Sequence, residues 1–178
     1  LEGKLASEAL GSSIDLFKVA LSTSTYTPVT DFLVWANRIR GVRMVPFGDA
    51  DVIPLGQRLF LGGRDTLRGF AIGEVGPKGA DGDVLGGDES INASTELQFS
   101  LTDNFILVLF IDAGQAFLEN EGDFTGDTLD FSDLRYTPGL GGRYKTPVGP
   151  ISIEYGFVTE RETDERSGRL NIAIGGVL

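Results

Sequence analysis

The chain has 178 residues, with 26 acids against 15 bases for a formal net charge of −11, and it contains neither cysteine nor histidine. Its length suits one domain better than two. The acidic balance argues against a nucleic-acid partner, which calls for a basic patch, and the missing thiols and imidazoles exclude disulfides, thiolate chemistry and histidine-based mechanisms.

Hydrophobic residues make up 41% of the chain, enough for a packed domain. The 25 glycines are about twice the usual 7%, which fits the turns and bends of a β protein better than a helix bundle. The chain opens at Leu1 with no signal peptide in view, so it is expected to be a processed chain or a fragment.

Strand-like segments are expected at 2–9, 14–26, 31–43, 91–101, 104–117, 134–146, 149–159 and 168–178. In the second, Phe17, Val19 and Leu21 alternate with Leu16, Lys18 and Ala20. The first and third, "GKLASEAL" and "DFLVWANRIRGVRM", also fit short amphipathic helices.

After the third segment comes a long loop, 44–90, containing "RLFLGGRDTLRGF". Arg58, Arg64 and Arg68 stand there among glycines and apolar residues. Leu59, Phe60, Leu61, Leu67 and Phe70 would make a poor solvated tip.

The fourth segment alternates Ala93, Thr95, Leu97 and Phe99 with Asn92, Ser94, Glu96, Gln98 and Ser100. The fifth, "NFILVLFIDAGQAF", is apolar on both faces, so its inner face needs something solid against it. Its run "FILVLFI" falls far short of the ~20 residues of a spanning helix. In the seventh, Ile151, Ile153, Tyr155 and Phe157 oppose Ser152, Glu154 and Gly156. In the eighth, Leu170, Ile172, Ile174 and Leu178 oppose Arg169, Asn171 and Ala173.

Alternation over about ten residues matches the ~9–11 residues of a tilted transmembrane strand. The connections point the same way. "YTPVTD", "LTDN" and "TPVGP" are tight turns, whereas 43–90, 118–132 and 159–167 are longer and polar or acidic. Short turns at one end and long loops at the other are the habit of outer-membrane barrels.

Arg68 is either an exposed loop arginine beside a turn glycine or, if the loop folds inward, a desolvated cation needing carboxylates. Glu96 and Asp112, on the inward faces of the fourth and fifth segments, are the acids on offer for its fork. The acidic loops "GADGDVLGGDES" and "NEGDFTGDTLDFSD" do not match a calcium loop and read as solvated. No metal, cofactor or catalytic residue is expected, and Trp35 reads as a packing or interfacial-belt residue.

"FLGGRDTLRGF" (60–70), "STELQFSLTDNF" (94–105), "LFIDAGQAF" (109–117) and "GLGGRYKTPVGPISIEYGF" (139–157) together resemble the C-terminal barrel of the bacterial surface-antigen superfamily. This family comprises the outer-membrane assembly and translocation factors of the Bam and Tam type. The resemblance spans nearly all of 1–178. It implies an all-β antiparallel transmembrane barrel in the bacterial outer membrane, with about eight strands here as the C-terminal half of about sixteen. It also implies that loop 44–90 folds into the lumen, with Arg68 meeting Glu96 and Asp112 and with Gly69 and Phe70 as its tip.

A loop of that length would not fit inside an eight-stranded barrel, whose interior is just wide enough for side chains. Half of a larger barrel, or a dimeric one, is therefore expected. Family members usually carry periplasmic domains ahead of the barrel and many outer-membrane barrels end in an aromatic, where this chain ends in Leu178.

The function implied is protein insertion or translocation at the outer membrane, without enzymatic activity. A weakly paired seam would offer its edge to an unfolded client strand. The last segment, with Gly175, Gly176 and Leu178, would form one side of that seam. Expected partners are outer-membrane lipid, an unfolded outer-membrane or secreted client, and a second copy or the missing barrel half. The alternative is a passive porin- or adhesin-like barrel, which explains the alternation but leaves the inward Arg/Glu/Asp set without a purpose.

Overall fold

The structure, a computed structural model, describes residues 2–6, 15–48, 52–118, 133–147, 149–162 and 165–175. Eight strands form one antiparallel sheet in chain order: β1 (Glu2–Ala6), β2 (Leu16–Thr30), β3 (Leu33–Pro46), β4 (Glu89–Ser100), β5 (Phe105–Phe117), β6 (Arg135–Tyr144), β7 (Ile151–Phe157) and β8 (Gly168–Ile174). Each strand pairs with its sequence neighbours, and among the described residues β1 and β8 do not pair with one another. The wall is an open arc, as a partial barrel would be.

The segment at 31–43, which also fitted a helix, is strand β3. It is paired with β2 over Leu33–Pro46 and with β4 over Leu33–Arg43. A ladder on each side satisfies its backbone and overrules its ambiguous periodicity. The first segment is likewise a strand over Glu2–Ala6, and its expected extension to residue 9 lies outside the described residues.

Connections at one end of the sheet span 31–32, 101–104 and 145–150, whereas those at the other span 47–88, 118–134 and 158–167. Period two then divides the side chains. Leu97, Leu109, Leu140, Ile153, Leu170 and Ile172 are exposed on one face. Ser94, Asp112, Thr137, Ser152 and Glu154 are buried on the other. An apolar exterior over a polar interior is the outer-membrane pattern, inverted relative to a water-soluble sheet.

The 47–88 connection returns over the polar face. It is tied to itself by a short 3₁₀ turn (Leu55–Gln57) and by bridges pairing Leu59 with Gly87, Leu61 with Val75 and Lys78 with Val84. Leu61, Leu67, Phe70 and Val75 pack with Ala116 of β5 and with Val158, while Ile53 and Leu59 pack on Leu16 and Met44. Not every apolar loop residue is sequestered, since Phe60 and Ile72 are exposed.

The inner face of β5 is covered in two ways. Ala116 meets the loop core, but Ile106, Val108 and Phe110 form a cluster of their own. Arg143, opposite Ile106, reaches over β5 to Glu96, which is opposite Phe110.

A second tie lies beyond the strands. Lys78 donates to Glu162 at 2.7 Å and to Glu165 at 3.1 Å, and Arg135 donates to Glu162 at 2.8 Å and to Glu165 at 3.2 Å. Partial burial alone would raise the Glu165 carboxyl. The hydrogen bonds from Arg135, the Glu162 amide and Lys78 outweigh burial and lower it below the ordinary carboxylate range.

Two outcomes follow. Ile153→Arg places a cation on the apolar exterior and should destabilise the membrane-inserted state by about 2–4 kcal/mol if it lies near the midplane, read by urea titration in lipid vesicles. Because the Glu165 carboxyl is depressed by folding, its contribution is complete above the unfolded value of about 4.3 and fades as pH falls through the lower folded one. Protease cleavage within 72–84 should therefore rise below about pH 4, and Glu165→Gln should flatten that response.

Candidate functional site

Arg68 sits on a closed turn. Thr66 Oγ1 accepts from the Gly62 amide at 2.8 Å and donates to the Gly62 carbonyl at 3.0 Å, and the Gly63 amide donates to the Phe70 carbonyl at 3.0 Å. The turn delivers Arg68 to the wall with only 4% of its surface exposed.

Each of the five N–H donors of its guanidinium finds an acceptor. Nε donates to Asp112 Oδ2 at 2.8 Å, while Nη2 donates to Asp112 Oδ1 at 2.6 Å and to Ser94 Oγ at 3.0 Å. Nη1 donates to Glu96 Oε1 at 2.7 Å and to Glu154 Oε2 at 3.0 Å. The Arg68 amide adds a bond to Asp112 Oδ2 at 3.1 Å, and the guanidinium carbon lies 3.4 Å from the centre of the Phe110 ring. The side chain is bidentate to one acid, shared by two more and stacked on an aromatic face.

The acids are themselves held. Ser94 Oγ donates to Asp112 at 2.7 Å and Gln98 to Glu96 at 2.9 Å. Arg143 donates to Glu154 at 2.7 Å and to both oxygens of Glu96 at 2.9 and 3.0 Å. Two cations thus share three carboxylates. A recess of about 130 Å³ beside them is lined by Tyr26, Arg38, Arg64 and Gln98 among others.

Glu96 and Glu154 stand on β4 and β7, with β5 and β6 between them. In a flat sheet three strand spacings would separate them by roughly 14 Å. Both nevertheless reach one nitrogen of Arg68, so the polar face is concave there.

Glycine lets the loop approach that closely. A Cβ on Gly69 would come within 2.7 Å of the Thr137 side chain, and one on Gly156 within 2.6 Å of the Gly69 nitrogen. Loop and wall therefore meet backbone to backbone. Phe70, beyond this contact, is buried in the loop core beneath the Arg135 guanidinium, 4.8 Å from its ring centre.

Of the residues singled out from sequence, Arg68, Glu96 and Asp112 come together at this point with Gly69 beside them, while Phe70 lies apart in the loop core. Gly175 is not among them; it lies past the end of β8 at φ 79°, its amide donating to the Pro150 carbonyl at 2.8 Å. Gly176 and Leu178 lie outside the described residues.

Sequence reasoning left out Glu154, Arg143, Ser94 and Phe110. Glu154 had a signal, since alternation in "ISIEYGF" sets it on the face away from Ile153 and Tyr155. Arg143 had none beyond its position on the same face as the other charges. With all five guanidinium donors of Arg68 taken up by acceptors, its side chain has no donor left over for a further ligand.

The Omp85 superfamily domain matches residues 1–177. The outer membrane protein assembly factor BamA of Nitratidesulfovibrio vulgaris is 28% identical over 93% of this chain, and that of Neisseria meningitidis 25% identical over 72%. The chain spans 21% and 20% of their lengths, about a fifth of each. Among solved structures, BamA from Haemophilus ducreyi lacking POTRA domains 1–3 superposes with a TM-score of 0.76 at 27% identity, over 96% of this chain and 36% of that one. The open β wall with its returning loop therefore belongs to the Omp85 superfamily.

Proposed function

We propose that this chain forms the C-terminal half of the barrel of an outer-membrane protein assembly factor. It lies in the bacterial outer membrane, as the names of its two bacterial relatives indicate for them. The clients are unfolded outer-membrane proteins, and the strands missing from the arc come from the other half of the barrel. Assembly uses no bond-making chemistry: β8, bounded by β7 on one side, offers its other edge to an incoming strand. The loop anchored by Arg68 keeps the lumen filled and the wall in shape while that edge is exposed.

The observation that carries this reading is the burial of Arg68 among Asp112, Glu96 and Glu154. A passive pore gains nothing from filling its lumen with a desolvated ion network. An assembly barrel needs the wall held while its seam gives way.

Arg68→Ala leaves three carboxylates facing one another around a void, with Arg143 the remaining cation. A loss of about 3–5 kcal/mol is expected. In the full-length protein, the heat-dependent shift in gel mobility should begin at lower temperature and client folding in reconstituted vesicles should slow. Arg68→Lys keeps the charge but not the fork and should fall between the two. Wild-type mobility and folding rates in Arg68→Ala would defeat the anchor. In a planar bilayer the wild-type protein should show no steady ohmic conductance; a stable open pore would favour the passive barrel.

A further inference from the structure

β8 is the strand that the proposed function requires to loosen, and it is lightly held. It has seven residues and, among those described, pairs with β7 alone. Its inner face carries Arg169, Asn171 and Ala173. Asn171 makes the only side-chain hydrogen bond from β8 among the described residues: its Nδ2 donates to the Arg68 carbonyl at 2.9 Å.

Asn171 is directly opposite Glu154 in the β7–β8 ladder, and Glu154 Oε2 accepts from Arg68 Nη1. Neighbouring side chains on adjacent strands therefore hold the same arginine at both ends, Glu154 at the guanidinium and Asn171 at the main chain. Between these grips, Gly156 lets the Arg68–Gly69 backbone lie against β7. The contact is chemically selective. A carbonyl needs a donor, and of the three inward residues of β8 the amide of Asn171 is the one that meets it.

We infer that Asn171 is a positioning residue that couples the seam strand to the loop, an inference that rests on the anchor reading above. Fraying of β8 withdraws a donor from the Arg68 carbonyl, and displacement of the loop withdraws an acceptor from β8. Each event makes the other easier, and by thermodynamic linkage the two effects are equal in free energy. A client strand that peels β8 from the wall would thereby loosen the loop.

Hydrogen exchange of the full-length protein in lipid vesicles tests this, comparing amides of 168–174 and 58–70 in wild type, Asn171→Leu, Arg68→Ala and the double variant. Asn171→Leu keeps the branched side-chain shape and removes the donor. It should accelerate exchange in both segments by about fivefold, the worth of one hydrogen bond. Asn171→Asp also lacks the donor and adds a carboxylate opposite Glu154, so it should accelerate exchange in both segments at least as much, and it serves if the leucine variant fails to fold.

Arg68→Ala should release the loop and so carry the residue-68 carbonyl away from Asn171, accelerating exchange in β8, and adding Asn171→Leu should then accelerate it no further. Acceleration of β8 alone in Asn171→Leu, or a double variant equal to the product of the singles, would overturn the coupling while leaving the anchor intact. An unchanged loop in Arg68→Ala would overturn the anchor itself.

Discussion

A guanidinium taken out of water loses several kcal/mol of hydration, and it stays folded only where acceptors replace what water supplied. That requirement organises the interior of this wall. The returning loop brings in the cation, and β4, β5 and β7 each contribute a carboxylate. Arg143 of β6 then neutralises much of the excess negative charge. Four consecutive strands are thus cross-linked on their inner face by one ionic cluster. Backbone ladders hold each strand to the next; the cluster additionally fixes how strands two and three places apart approach one another.

Much of the architecture could be read before the structure because period two survives in nearly every strand. The alternations in β4, β7 and β8 assign faces directly, and those faces are the ones observed. The segment around Trp35 was ambiguous because "LVWANRIRGVRM" places apolar residues at spacings that suit either a helix or a strand. The choice depended on two neighbouring edges that no local pattern reveals.

The site was legible in part for a related reason. Glu96 and Asp112 stand on adjoining strands, so alternation and order suffice to set them side by side. Glu154 is equally visible on its own strand, but its meeting with Glu96 depends on curvature, a property of the whole sheet. Arg143 depends on the same curvature, since it must reach across β5. Ser94, fully expected on the inner face, acquires its role only through register, being directly opposite Asp112.

The saturated fork also has a geometric corollary. Sliding the loop along the wall by one residue, about 3.3 Å, would carry every donor of Arg68 beyond reach of its acceptor at once. No half-seated arrangement retains a useful fraction of the bonds. The loop therefore seats like a bayonet fitting, its five guanidinium bonds all made in a single register.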